Sequence, residues 1–130
     1  LHRKLARADF ESLLNRVVKV EGVPVLAARV AAPDVDTLRE MADWFRDKMN
    51  GGVIVLGTVI EDKPLLIAAT TKEMNARGIH AGNLVKRVAQ IVGGGGGGRP
   101  DIAQAGGRDT GKLDEALETV AELVKAALAG

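Results

Sequence analysis

The sequence predicts an α/β fold in which helices cover a small mixed β-sheet, with one further helix at the N-terminus. The first observation is that apolar residues recur at helical spacing in four segments. These segments are approximately 1–19, 34–50, 81–92 and 112–128. The second observation is that apolar residues also form short continuous runs, which are typical of strands covered on both faces. These runs are 24–32, 53–60 and 65–70.

The N-terminal segment 1–19 has the spacing of an amphipathic helix. Its apolar stripe consists of Phe10, Leu13, Leu14, Val17 and Val18. No capping residue precedes Leu1 and the chain does not begin with Met. We therefore expect a piece of a longer protein in which this helix continues upstream. The predicted organisation is a helical, coiled-coil-like segment, 1–19, followed by a globular domain, 20–130.

The strand predicted over 24–32 leads into the first helix of the globular domain. Pro33 stops the strand, and either Asp34 or Asp36 is expected to cap the helix. The helix should end near Asn50, before two glycines. Its buried stripe would consist of Leu38, Ala42, Phe45 and Met49.

The apolar runs 53–60 and 65–70 are separated by a polar turn, 61–64, which predicts a β-hairpin within the sheet. A helix over 81–92 follows, and then a run of glycines that we expect to be a loop. A short strand is compatible with the residues after that loop. The last helix is expected from about Lys112, because a regular apolar stripe begins there.

Composition excludes several classes of site. The 130 residues include no Cys, so disulfides, thiolate metal sites and Cys nucleophiles are excluded. Aromatic residues make up 2% of the chain, which argues against a base-stacking platform built from rings. With only His2 and His80, a His-based metal site within one chain is not expected. The only serine, Ser12, lies outside any nucleophile-elbow motif, and no catalytic constellation is found.

Charge is unevenly distributed, although the net charge is only +1. The stretch 72–99 has five basic residues and one acidic residue, which would attract phosphate. The longest uncharged stretch, 49–60, is shorter than the roughly 18 residues of a membrane-spanning helix, so no membrane contact is expected. The absence of Cys is typical of a reducing compartment, and we expect a cytoplasmic protein.

The glycine-rich segment 93–107 is the strongest functional signal in the sequence. Glycine lets a ligand approach the backbone closely, and successive amides can bind an anion. A flexible linker is the alternative, but the run contains no Ser and lies between apolar helices, which favours a functional or close-packing role. No Gly-Lys-Ser/Thr sequence follows, so this is not a P-loop. The candidate ligand-contacting glycines are Gly93, Gly94, Gly95, Gly96, Gly97, Gly98, Gly106 and Gly107.

Side chains near the glycines are the next candidates for RNA contacts. Arg99 could hold a phosphate, and Gln104 could bond a base edge or a ribose hydroxyl. The equally weighted alternative is that Arg99 pairs with Asp101 while Gln104 holds the loop backbone. Four further cations are candidates for phosphate contacts, although each taken singly is better explained as an ordinary solvated charge. They are Lys72, Arg77, Lys86 and Arg87.

His80 lies in the segment 78–83, at the expected start of a helix. It could bond a phosphate or a base, but a role in capping or packing is favoured. Trp44 and Phe45 are neighbours on a helix and should point in different directions. Phe45 belongs to the core stripe, whereas Trp44 is expected at a helix–helix or subunit contact.

The motif at 93–107, GGGGGGRPDIAQAGG, resembles the C-terminal, DHHA1-type domain of bacterial alanyl-tRNA synthetases. The resemblance extends to 53–57, 71–73, 78–85 and the final helix from Lys112, so it covers essentially 20–130. It implies a non-catalytic domain that contacts the tRNA elbow and supports aminoacylation and editing by the full enzyme. The related DHH phosphodiesterases use the same type of domain to bind substrate nucleic acid through a glycine-rich motif.

Departures from the wider group limit what the resemblance implies. The chain has no Asp-His-His motif and neither of the His pairs that hold the editing-site zinc, and it is too short for a class II catalytic core. We therefore expect no enzymatic activity and no cofactor in this segment. ATP, Mg and Zn are expected only in the rest of a parent alanine–tRNA ligase.

The expected partners are tRNA(Ala) and the other domains of the parent synthetase, and a homodimer is left open. The alternative function is a dimerisation or assembly module with only incidental RNA contact. In that case the N-terminal helix and Trp44 would provide the contacts between subunits.

Overall fold

The computed structural model describes residues 17–129 except 21, 31–33, 50–51 and 99–101. The described residues form a six-stranded mixed sheet with helices on both faces, which confirms the predicted fold class. The elements are β1 Val18–Val20, β2 Val23–Arg29, α1 Val35–Met49, β3 Val53–Ile60, β4 Lys63–Thr70, α2 Lys72–Ala76, α3 Ala81–Ile91, β5 Gly95–Gly98, β6 Ile102–Gly106, a 3-10 turn Thr110–Lys112 and α4 Leu113–Ala129. The strand order is β1-β2-β3-β4-β6-β5, in which β2 and β3 are parallel and the other described pairs antiparallel.

The predicted N-terminal helix is wrong at its C-terminal end. Residues 1–16 of that prediction lie outside the described part of the chain, but Val18–Val20 form strand β1. This strand pairs antiparallel with β2, and Val20 lies opposite Val23. A short apolar run fits both helix and strand periods, and here backbone pairing with β2 decides for the strand. The sheet therefore begins before the predicted domain boundary at residue 20.

Helix α1 begins after Asp34, whose Oδ1 accepts a hydrogen bond from the amide of Thr37 at 2.7 Å. This contact identifies Asp34, rather than Asp36, as the capping residue. The same hydrogen bond holds the pKa of Asp34 below its usual value, because it stabilises the carboxylate form. The helix then packs against β3 and β4, where Leu38 and Phe45 are fully buried.

The β3–β4 hairpin turns within two residues, Glu61 and Asp62, whose φ values are 51° and 64°. Positive φ at both central positions is the type I′ geometry, whose twist matches that of the flanking strands. The predicted turn 61–64 is therefore two residues too long, and β4 begins at Lys63.

The sheet separates two apolar cores because successive strand residues point to opposite faces. On β4, Ile67 packs under α1, whereas its neighbours Leu66 and Ala68 pack under α3 and α4. Helix α3 lies over β4, β6 and β5, and α4 lies over β2 and β3. The second helical layer therefore places α3 between α4 and the β5 edge of the sheet.

Candidate nucleic-acid interface

Much of the predicted glycine loop is a strand. Gly95–Gly98 form β5, which pairs antiparallel with β6 so that Gly95 lies opposite Gly106 and Gly98 opposite Ala103. Glycine has no side-chain pattern, so the run carries no strand signal, and the strand forms because β6 supplies backbone hydrogen bonds. β5 ends the strand order, so its outer backbone groups face no other described strand.

Gly93 has a structural role at the end of α3. Its φ is +73°, a left-handed conformation that glycine adopts without strain. The amide of Gly93 donates to the carbonyl of Gln90 at 3.2 Å, and the amide of Gly94 donates to the carbonyl of Ala89 at 2.9 Å. These two bonds form the Schellman pattern, which satisfies carbonyls left free at a helix C-terminus.

Gly94 and Gly107 also have a structural role, because two chain segments cross in direct contact there. A Cβ added at Gly94 would overlap the carbonyl oxygen of Gly106. A Cβ added at Gly107 would lie 2.6 Å from the carbonyl oxygen of Val92. Side chains are therefore excluded at both positions by the fold itself. We call this place the glycine crossing.

Gly95 differs from these three glycines. It is exposed, its φ is not positive, and an added Cβ would meet nothing within 4 Å. Neither backbone conformation nor packing within the described structure requires glycine at this position. A position without a side chain on an open sheet edge does, however, let a ligand approach the backbone closely. Gly95 is therefore the glycine for which ligand contact is the better explanation.

Gln104 is exposed on β6, opposite Gly97 of the edge strand. Its neighbours Ala103 and Ala105 are buried on the α3 face, so Gln104 points to the opposite face of the sheet. Its side chain makes no hydrogen bond to another described residue. The exposed amide group is thus placed beside the glycine strand.

Lys86 and Arg87 are exposed on α3, the helix that packs against β5 and β6. Consecutive helical residues point about 100° apart, so the two cations lie on different flanks of the helix. Arg87 faces α4, as its place in the lining of an α3–α4 cavity shows. Lys86 lies on the flank nearer to the β5 edge. The structure thus places Lys86 on the exposed surface of the helix that packs against the glycine strand.

Lys72 and Arg77 are exposed at the two ends of the short helix α2, near the start of α3. The 11 residues of α3 separate them from Gly93 by about 16 Å along the helix axis. β5 runs back towards them, however, because Gly98 lies opposite Ala103, which in turn lies opposite Ala68 near the end of β4. Lys72 follows β4 by two residues and therefore lies at the same end of the sheet as Gly98. Arg99 and Asp101, which were predicted next to the glycine run, lie outside the described residues.

His80 immediately precedes α3, and its imidazole makes no hydrogen bond to the first amides of the helix. A capping role for this side chain is therefore wrong. The residue is instead half-buried and lines the cavity between α3 and α4. The packing role that the sequence also favoured agrees with this position.

A groove of about 460 Å³ next to the glycine crossing was not predicted. Gly106 and Gly107 line it, and the exposed cations Lys63 and Arg108 stand beside them. These two cations are far apart in sequence and meet because the amide of Gly107 donates to the carbonyl of Pro64 at 3.1 Å. The only signal in the sequence is that Arg108 directly follows a glycine pair.

Within the described ranges, no helix combines the length and apolarity needed to cross a bilayer. The same ranges contain no group of three His, Cys, Asp or Glu side chains placed to hold a metal ion.

The chain belongs to the DHHA1 domain family, whose model matches residues 22–126. Its fold is also similar to that of a DHH-domain protein, with a TM-score of 0.56 and 18% identity over 94% of this chain and 31% of the other.

Within this family the chain is homologous to the C-terminal domain of alanyl-tRNA synthetase. It is 52% identical to the alanine–tRNA ligase of Desulforamulus reducens over 96% of this chain and 14% of that protein. It is 54% identical to the corresponding ligase of Desulfitobacterium hafniense over the same shares. The crystal structure of the C-Ala domain from Aquifex aeolicus alanyl-tRNA synthetase matches with a TM-score of 0.72 and 26% identity, over 84% of this chain and 97% of that one. The chain thus spans about one seventh of the length of its curated relatives.

Proposed function

We propose that this domain binds the elbow of tRNA(Ala) and thereby supports aminoacylation and editing by a parent synthetase, without catalysing a reaction itself. The single observation that carries the proposal is the open glycine edge strand, in which Gly95 has no packing reason to be glycine. An edge without side chains lets a sugar–phosphate backbone come into hydrogen-bonding distance of the protein backbone.

Polar side chains stand on both faces of this edge. Lys86 lies on the α3 flank next to β5, and Gln104 lies on the other face of the two-stranded edge. Lysine can neutralise phosphate, and an amide can bond a base edge or a ribose hydroxyl. The shape of a folded RNA would then be recognised by a rigid edge and a few polar side chains, because the sheet carries no aromatic stacking platform among its described residues.

The test is a binding titration at two salt concentrations. Intact tRNA(Ala) is compared with an acceptor-stem hairpin that lacks the elbow. We expect binding to the intact tRNA alone, weakening as salt increases. Equal binding to both RNAs, or binding to neither, would contradict elbow recognition by this domain.

A Gly95→Leu variant adds a bulky side chain on the open edge, where the fold has room for it. We expect weaker tRNA binding with an unchanged midpoint of unfolding. Lys125→Ala is the control, because Lys125 is exposed on α4 and away from the glycine strand. Normal tRNA binding by Gly95→Leu would remove the edge strand from the contact surface.

A second candidate function is subunit assembly, which the opposite end of the sheet favours. β1 is the other outer strand, and Val18 on it is 52% exposed. Trp44 on α1 is half-buried, with its ring 5.1 Å from that of Phe45 and 5.6 Å from the ammonium of Lys48. A mass measurement in solution that finds only monomers would exclude this function for the chain.

The remaining parts of the proposal concern the parent protein. By homology with alanine–tRNA ligases, it would join alanine to tRNA with ATP and Mg and hold Zn at its editing site. None of these cofactors is assigned to the present segment. The parent would act in the cytoplasm, with this domain contacting its other domains through the shared tRNA.

A further inference from the structure

A cavity of about 220 Å³ lies between the start of α3 and the C-terminal half of α4. One wall is polar and comes from His80, Asn83 and Arg87. The opposite wall is apolar and includes Leu123 and Ala127 of α4. The polar wall reaches solvent, because Asn83 and Arg87 are exposed while His80 is half-buried.

Helical spacing explains why these side chains converge. Asn83 follows His80 by three residues and Arg87 follows Asn83 by four, so all three lie on one flank of α3. Leu123 and Ala127 are four residues apart and face that flank from α4. The small side chain of Ala127 leaves the space that a larger residue would fill.

The chemistry of the lining selects a flat ring with a polar edge and a nearby negative charge. An amide and an imidazole supply both hydrogen-bond donors and acceptors, and no carboxylate lines the cavity. A guanidinium stacks on planar rings and also pairs with phosphate. The volume is below the roughly 300–1,000 Å³ of sites that enclose a complete small ligand. The cavity therefore fits one ring, with the rest of the ligand outside.

We propose that the α3–α4 cavity receives a single unpaired RNA base, with Asn83 at its polar edge and Arg87 stacked on its ring face. The inference rests on the proposed function and adds a second contact, because the cavity lies at the other end of α3 from the glycine crossing. Neighbouring Lys86 and Arg87 then have different tasks. Lys86 neutralises phosphate beside β5, and Arg87 holds the base.

The decisive variant fills the cavity without changing charge. Ala127→Leu keeps a strong helix former on α4 and occupies the space of the base. We expect its affinity for intact tRNA(Ala) to fall about tenfold, as for the loss of one stacked base, with an unchanged salt dependence. A folded Ala127→Leu variant, checked by circular dichroism and its urea midpoint, that binds tRNA normally would overturn the proposal.

Arg87→Ala and Lys86→Ala form a matched pair, since both remove one positive charge from the same helix. Arg87→Ala should lose affinity at low and at high salt. Lys86→Ala should lose affinity mainly at low salt, with a salt slope reduced by about one. Equal behaviour of the two variants would mean that Arg87 is only a phosphate contact and would also overturn the proposal.

A nucleotide titration tests the cavity apart from tRNA. The 5′-monophosphates of adenosine, guanosine, cytidine and uridine are added in turn while the NMR amide resonances of residues 80–84 are followed. Shifts that Ala127→Leu abolishes support the base site even if the chain fails to bind tRNA, in which case only the proposed function fails. The same shifts with unchanged tRNA affinity in Ala127→Leu would assign the cavity to a free nucleotide and overturn the RNA-base proposal. No shifts in a chain that does not bind tRNA would overturn both.

Discussion

Gly107 passes so close to Val92 that an added Cβ would lie 2.6 Å from the Val92 carbonyl oxygen. That oxygen already accepts hydrogen bonds from the amides of Arg108 and Asp109, at 2.8 and 2.9 Å. The contact ties the end of α3 to the segment that leaves β6. Three glycines of the motif, Gly93, Gly94 and Gly107, are therefore explained by the fold without any ligand.

Gly107→Ala is therefore expected to destabilise the domain by about 1–3 kcal/mol, the usual cost of overpacking. Gly95→Ala is the control, because its added methyl group meets nothing within 4 Å and should change stability by less than about 1 kcal/mol. The free energy of unfolding from urea titration measures both. Equal stability of the two variants would mean that the crossing tolerates a side chain.

Asp34→Ala should weaken α1, because the carboxylate of Asp34 accepts the hydrogen bond from the amide of Thr37. Folding lowers the pKa of the Asp34 carboxyl group. The carboxylate therefore stabilises the folded state fully above the pKa that Asp34 has in the unfolded chain, and this stabilisation is lost as the pH falls through the lower pKa of the folded state. The difference in thermal unfolding midpoint between the unsubstituted domain and Asp34→Ala should therefore be clear at pH 6 and shrink towards pH 3.

Glu40→Ala is the control for this measurement, since Glu40 is an exposed acidic residue in the middle of the same helix. It should show no comparable loss of midpoint at pH 6. If the difference in midpoint between the unsubstituted domain and Asp34→Ala stays constant from pH 6 to pH 3, the ionised carboxylate is not what caps the helix.

Lys86→Ala should reduce the slope of log affinity for tRNA against log salt by about one, because one phosphate contact is lost. Lys125→Ala removes the same charge from an exposed position on α4 and should leave the slope unchanged. Fluorescence anisotropy with labelled tRNA at several salt concentrations measures both slopes. Identical slopes for the two variants would show only a general effect of net charge.

Thr70→Val should destabilise the domain by about 1 kcal/mol, since the buried Oγ1 of Thr70 donates to Oδ1 of Asn75 at 2.8 Å. This bond ties the end of β4 to α2. Thr119→Val is the matched control, because its hydroxyl bonds the carbonyl of Glu115 on an exposed helix surface. If urea unfolding shows the same cost for both variants, the buried bond has no special role.

Much of the fold could be predicted where side chains carry a clear period. The apolar stripe of α3 and the runs of β3 and β4 fixed these elements to within two residues. Val18–Val20 was too short to distinguish a strand from the end of a helix. β5 offered no side chains at all, so its strand conformation depended on β6, its partner in the sheet.

The candidate interface could likewise be predicted only where the signal is local in sequence. Lys86, Arg87 and Gln104 could be singled out from their closeness in sequence to the glycines. The groove with Lys63 and Arg108 could not, because it arises from the pairing of β4 with β6 and the contact between Gly107 and Pro64. Whether a glycine serves packing or a ligand also depended on neighbours distant in sequence, as Gly95 and Gly107 show.

A strand made of one repeated residue contains no information about its own alignment. Sliding β5 past β6 by one position would place another glycine opposite Gln104 and leave the exposed edge chemically unchanged. The alignment must therefore be set outside the strand, and the glycine crossing at Gly94 and Gly107 is the described contact that can anchor it. The close contacts at the crossing would thus determine which glycine of β5 lies opposite each residue of β6.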